Sequence, residues 1–316
     1  HRNSFYCHYS SLLDARIIQY IELLSSFPID LVSKEYYSLD NEEYLDKKHK
    51  YIMDTNNGKF HLESLVDTAR HLSNIQKQEI KSQNLKSKLS VKKITIPGRP
   101  LKPKLVNFQT SPKRDRSDLG MIKNIHAICH IEFNAINLAL DAVYRFQEMP
   151  LQYYLDWLKV ANEEATHFSL LSDYLQELGY QYGDFDAHNG LWQMTVDTDY
   201  DVLSRMALVP RVLEARGLDV TPSIRAKFKD SNFHKMVEIL DIIYRDEIGH
   251  VKIGNHWYHY LCSERKLDPI LTFDSLIIKH IGANLRGPFN TEARLLSDFS
   301  QAEINYLEHP EITKLN

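Results

Sequence analysis

The sequence predicts an all-α protein built on a four-helix bundle, and three observations point there. Long stretches carry apolar residues at a helical period, these stretches fall into two pairs separated by a long connection, and two Glu-x-x-His motifs occupy matching places in the two halves. The chain has 316 residues, 43% hydrophobic and 25% charged, a composition suited to a globular core with additions.

The first bundle helix is expected over 119–147, where Met121, Ile125, Ile128, Ala135, Leu138, Ala139, Ala142 and Phe146 recur with a helical spacing. Pro150 then opens a second helix through Leu155, Leu158, Ala161, Ala165, Phe168, Leu171, Leu175 and Leu178, and Gly179 suits its C-terminal cap. Residues 180–198 hold two Gly and several Asp with no sustained period, so they read as a long crossover. A third helix is expected at about 199–216, ending before Gly217, with a shorter one beginning at Pro222. A fourth runs over about 233–263.

Additions flank this core of 119–265. Residues 1–118 are expected to hold amphipathic helices at 10–24 and 61–90. A Pro-containing tract at 77–116 follows, with twelve Lys or Arg against two acids. Residues 266–316 read as one or two further helices joined at 287–290.

Net charge is −4, so no global field selects nucleic acid or membrane. No stretch has the 18 or so consecutive apolar residues of a membrane span, and the first residues show no charged segment followed by an apolar run. Three scattered cysteines make no disulfide framework, and the expected compartment is the reducing cytoplasm.

The chemistry is carried by Glu164-Ala-Thr-His167 and Glu247-Ile-Gly-His250, in which Glu and His lie three apart and share a helix face. Glu132 precedes Glu164 by 32 residues and Glu214 precedes Glu247 by 33, each on the helix paired with the motif. In antiparallel hairpins such offsets set a lone Glu opposite the Glu-x-x-His of its partner. Two hairpins together would present four carboxylates and two imidazoles, the ligand set of di-iron and di-manganese bundles. The metal ligands expected are therefore Glu132, Glu164, His167, Glu214, Glu247 and His250. The expected cofactor is two metal ions, with Fe favoured and Mn or mixed Mn/Fe as alternatives. The bland alternative places these acids on solvated faces. Against it, Glu132 lies among Ile128, Cys129, Ala135, Ile136 and Ala139, where an unneutralised carboxylate would be costly.

Glu163 and Asp246, just before the motifs, are expected to reach the outer nitrogen of a ligand histidine. Pro210, four before Glu214, should bend or widen its helix. Arg211 is expected to pair with Glu163 or Asp246, with an anionic substrate as the alternative. Tyr244 is either a phenol near the metals or core packing. His126, His130 and His188 have no matching partner spacing and are left out of the ligand set.

The segments HIEFNAINLALDAVYRF, VANEEATHFSLLSDYL, YGDFDAHNGLW, RMALVPRVLEARGLDVTP and DEIGHVKIGNHWYHYL resemble a bacterial family of ferritin-like proteins known only as a domain of unknown function. The resemblance covers about 120–262 and implies metal ligands at the same six positions without implying a reaction. More distantly, the arrangement is similar to ferritins, ribonucleotide reductase small subunits and tRNA hydroxylases acting on isopentenylated adenosine. The leading expectation is an oxygen-activating oxidase or hydroxylase, a monomer or dimer, acting with molecular oxygen on an unknown substrate. The alternatives are a tRNA-modifying hydroxylase docking RNA through 77–116, an iron-storage or detoxification ferroxidase, and a binding protein with a structural metal centre.

Overall fold

A computed structural model describes residues 91, 93–112 and 114–310. The helices expected at 10–24 and 61–90, and the start of the basic tract, lie outside the described residues. Among the described residues the regular structure is helical, with one isolated β-bridge. The elements are α1 (Asp118–Arg145), α2 (Leu151–Glu177), α3 (Gly190–Asp197), α4 (Val202–Leu208), a π-helical segment (Val209–Glu214), α5 (Ala215–Lys229), α6 (His234–Glu264), α7 (Pro269–Ile281), α8 (Thr291–Leu296) and α9 (Gln301–Glu308). None is long and apolar enough to cross a membrane. The described residues divide into two compact units, 91–112 with 126–189, and 114–125 with 190–310.

In the first unit α1 and α2 form an antiparallel hairpin. Cys129 Sγ meets the Phe168 carbonyl at 3.9 Å, the Phe133 and Phe168 rings lie 5.9 Å apart, and the Tyr153 hydroxyl reaches the Ala142 carbonyl at 3.4 Å. Contacts that descend α1 therefore ascend α2. From Glu132 to Tyr144 every residue of α1 is buried, so this stretch is covered on all its faces. Helix α2 ends in a Schellman motif: Tyr180 N–H donates to Leu175 O, Gly179 N–H to Gln176 O, and Gly179 takes φ +80°.

Around Leu105 the basic tract runs as a ribbon paired with the crossover. Lys104 O accepts from Ala187 N–H at 3.0 Å and Ala187 O accepts from Val106 N–H at 2.8 Å. Gly183 has φ +105°, and a Cβ there would also press on Lys102 Cβ, so the approach of ribbon and crossover requires glycine.

In the second unit four expectations are corrected. The crossover is not wholly irregular: its end folds as α3, which buries Trp192 and Thr195. The helix expected to stop before Gly217 continues through the π segment and α5 to Lys229. Pro222 starts no new helix and sits inside α5. A proline strips the carbonyl four residues back of its helical donor, and here Asn290 Nδ2 donates to that Leu218 carbonyl at 3.2 Å. A tertiary donor thus lets the helix run on. The C-terminal region holds three described helices rather than one or two, with 287–290 between α7 and α8.

Pro210 widens its helix as the sequence suggests, because the loss of its N–H is absorbed by a π turn over Val209–Glu214. Gly254 on α6 faces it, and a Cβ there would collide with the Pro210 ring. Helix α6 runs antiparallel to α4–α5, with Arg211 reaching Asn255 and Arg225 pairing with Asp241.

Candidate metal centre

Within the first unit Glu132, Glu164 and His167 converge. Each offers a ligand atom, and these atoms lie within 4.8 Å of one another. Glu164 and His167 are fully buried and Glu132 is 4% exposed. The α-helical three-residue spacing stacks Glu164 and His167 on one face of α2, and the antiparallel register sets Glu132 of α1 against them. His167 Nδ1 stands 3.3 Å from Glu132 Oε2 and 3.3 Å from Glu164 Oε2.

Three groups with lone pairs meeting in a dry place repel unless a proton or a cation lies among them. Burial pushes the Glu132 carboxyl well above the usual carboxylate range, and the Glu164 charge pushes it further; His167 opposes them. The same burial, aided by Glu132, raises the Cys129 thiol, which is therefore a protonated, packed group. The donor set of two carboxylates and one imidazole fits a metal ion that accepts oxygen and nitrogen ligands, such as iron or manganese.

Within the second unit the same residue types recur. His250 is fully buried, and its Nδ1 lies 3.6 Å from Glu247 Oε1, so both histidines turn Nδ1 toward the glutamate of their own motif. Glu214, 8% exposed, closes the π segment. Pro210 faces Gly254, so one turn along each antiparallel helix brings Glu214 level with His250.

Arg211, Glu163, Asp246 and Tyr244 each have a described partner. Arg211 finds its carboxylate in Glu303 of α9, at 2.7 Å, rather than in the acids that precede the motifs. Those acids have local cations: Glu163 lies 3.8 Å from Lys159, and Asp246 pairs with Arg245 at 2.9 Å. The Tyr244 hydroxyl accepts from Asn290 Nδ2 at 2.8 Å, which ties it to the start of α8.

A second cluster beside the first triple is one that the search for matched ligand spacing left out. His126 Nε2 accepts from Gly183 N–H at 2.8 Å. His130 Nε2 lies 3.2 Å from the His188 carbonyl, so it donates there and leaves Nδ1 to accept from the Tyr182 hydroxyl at 2.7 Å. Tyr182 also packs against Phe133 and Phe168, the neighbours of Glu132 and His167. Burial drives His126 down to about 4, against Asp184, and His130 down to about 3, so both imidazoles are neutral. They clamp the crossover onto α1. The available signal was the i, i+4 repeat of His126, His130 and Asn134 on a face apart from Glu132.

Compared with known proteins, the chain matches over residues 57–305 a family described as "Protein of unknown function (DUF455)". It is similar to an "Uncharacterized protein" of Haemophilus influenzae, 50% identical over 222 residues that make up 68% of this chain and 77% of that protein. No solved structure matches it.

Proposed function

The chain belongs to the DUF455 family of proteins of unknown function, and on that premise we propose that it is a ferritin-like di-metal protein of the oxygen-activating oxidoreductase class. The convergence of Glu132, Glu164 and His167 in a buried place carries this reading, since it collects negative charge and lone pairs where only a cation or protons compensate them. The Glu214, Glu247 and His250 set repeats the same types on a second antiparallel helix pair. The proposal takes the two sets as the ligands of two ions per chain, with iron preferred over manganese for a ligand set with one imidazole per ion.

When bound, such a centre supplies reducing electrons to oxygen. The chain's own part is to hold four carboxylates and two imidazoles at fixed places, to keep water out with the buried stretch of α1, and to keep His126 and His130 neutral beside the crossover. The added segments and the crossover would shape a substrate pocket that a storage subunit does not need. The test is anaerobic loading with ferrous ion, followed by metal analysis and oxygen-uptake measurement. Two ions per chain and oxygen consumption are expected. One ion or none removes the two-metal reading, and a loaded protein that stays ferrous in oxygen removes the oxidoreductase reading.

A nucleic-acid substrate is a second reading, favoured by the ribbon, where Lys93, Lys102 and Lys104 are exposed and Phe108 is 68% exposed. Retention of transfer RNA that weakens steeply with salt would support it; no retention at low salt would remove it.

A further inference from the structure

Arg211 sits within the π turn, three residues before Glu214, and its side chain is fully buried. Its guanidinium is enclosed by the rings of Tyr258, Phe273 and Phe299, at 4.3, 4.5 and 4.6 Å. Nη2 donates to Glu303 Oε1 at 2.7 Å and Nη1 to Asn255 Oδ1. Asn255 in turn donates through Nδ2 to the Ser297 carbonyl, so α6, the π turn and the C-terminal segment meet at one guanidinium.

Glu303 is fixed from its other side. It is the acid of the capping box that starts α9: Oε2 accepts from Ser300 N–H and from Ser300 Oγ, each at 2.8 Å, while Ser300 Oγ accepts from Glu303 N–H. Oε1 faces Arg211 and also lies 2.8 Å from His259 Nε2. The position of Glu303 is therefore set by the folding of α9, and it transmits that position to Arg211.

A π turn has one residue more than the α-helix it interrupts, and it persists only where its surroundings require it. Pro210 disrupts the α pattern at its start, and Gly254 gives the proline ring room. Arg211 supplies a tether within the turn itself. We propose that the C-terminal segment, through Glu303 acting on Arg211, is a positioning device that holds the π turn and so sets the place of Glu214 as a metal ligand. The inference rests on the two-metal reading above. Glu303 touches no proposed ligand and acts through Arg211, as outer partners of metal ligands do.

The test uses the full chain and titration with cobalt(II), followed by visible absorption and by metal analysis. Variants are Glu303→Gln, Glu303→Ala and, as a control for general destabilisation, Phe228→Leu near the end of α5 away from the π turn. The expected result is two cobalt ions per wild-type chain. Glu303→Ala should keep one ion at wild-type affinity and bind the other at least tenfold more weakly, with a changed absorption envelope. Glu303→Gln loses the charge and keeps one oxygen acceptor for Arg211, while its NH2 can no longer accept from Ser300 N–H, and it should fall between. Should Glu303→Ala not fold, Glu303→Gln decides alone. Phe228→Leu should lower the melting temperature without changing the absorption. Wild-type affinity and absorption in the foldable Glu303 variants would overturn the device, as would an equal spectral change in Phe228→Leu. In either case a wild-type chain with two ions leaves the two-metal reading standing. A wild-type chain with fewer than two removes both.

Discussion

Glu132 Oε2 on α1 and His167 Nδ1 on α2 lie 3.3 Å apart, across a hairpin whose loop separates them by 35 positions in sequence. The same nitrogen is 3.3 Å from Glu164 Oε2. Nδ1 is thus the imidazole atom turned to the carboxylates, and it is the atom expected to ligate. The reading then predicts which atoms compete with protons for a metal.

Replacing Glu132 by Gln should cut metal affinity by more than about 100-fold, beyond the 10–100-fold typical of outer partners of a metal site. The same variant should melt higher than wild type when both are metal-free, because it removes a carboxylate that burial and Glu164 make costly to ionise. His188→Ala, by contrast, should leave metal affinity unchanged. Calorimetric titration and thermal melts of chelator-treated protein check these outcomes.

The pH dependence of metal-free stability follows from opposite shifts. Glu132 is held above its unfolded value, mainly by burial, so the folded state binds more protons than the unfolded state in the intervening window. Stability therefore falls as pH rises through that window. Glu303 is held below its ordinary value: burial opposes this, but the hydrogen bond from His259 and the charge of Arg211 prevail. Its contribution is present above an unfolded value of about 4.3 and is lost as pH falls toward its folded value. Metal-free protein should thus be most stable in mild acid. Added metal should move the optimum toward neutrality, since the metal competes with protons. Melting temperature against pH, with and without metal, tests both limbs.

Arg294 and Asp219 form a second buried pair, at 2.7 Å, with side chains 1% and 0% exposed. Asp219 Oδ1 also accepts from Asn290 N–H at 2.9 Å. Arg294→Ala removes the buried cation of that carboxylate, leaving only the half-exposed Arg216 Nη1 at 3.7 Å, and should cost up to about 3–5 kcal/mol. For a protein of this size the melting temperature should fall by roughly 5–8 °C. Denaturant unfolding gives the number, and Arg294→Ala combined with Asp219→Asn should recover part of it.

Pro210→Ala restores a backbone donor and weakens the reason for the π turn. If the turn relaxes to α-helix, one residue is removed from the widened turn, and residues beyond it rotate by about 100°. Glu214 would then leave its level beside His250. Expected outcomes are an equal or higher melting temperature of the metal-free protein and loss of one of the two metal ions, read by metal analysis. Retention of both ions would show that the π turn does not place Glu214.

Much of the candidate site was legible because helical spacing is a local property. Glu164 with His167, and Glu247 with His250, share a face for any chain that is helical there, and the 32- and 33-residue offsets predict the partner acids once antiparallel hairpins are assumed. The bounds of α1, α2 and α6 likewise follow from period, Pro150 and Gly179.

What the sequence could not decide was every feature set by a partner remote in the chain. Gly217 and Pro222 are local stop signals, yet α5 passes both because Asn290, 72 positions away, reaches the Leu218 carbonyl that Pro222 orphans. Arg211 had several acids in plausible reach by sequence. Only the folding of α9 brings the Glu303 carboxylate to it, and only Tyr258, Phe273 and Phe299 close around its faces. Local propensity is worth at most about 1 kcal/mol per residue for residues other than proline. A buried polar group left unpaired costs more than that. Tertiary partners therefore override the local signals where the two disagree, and the sequence alone determined the helices and motifs but not the contacts that fix where their side chains end.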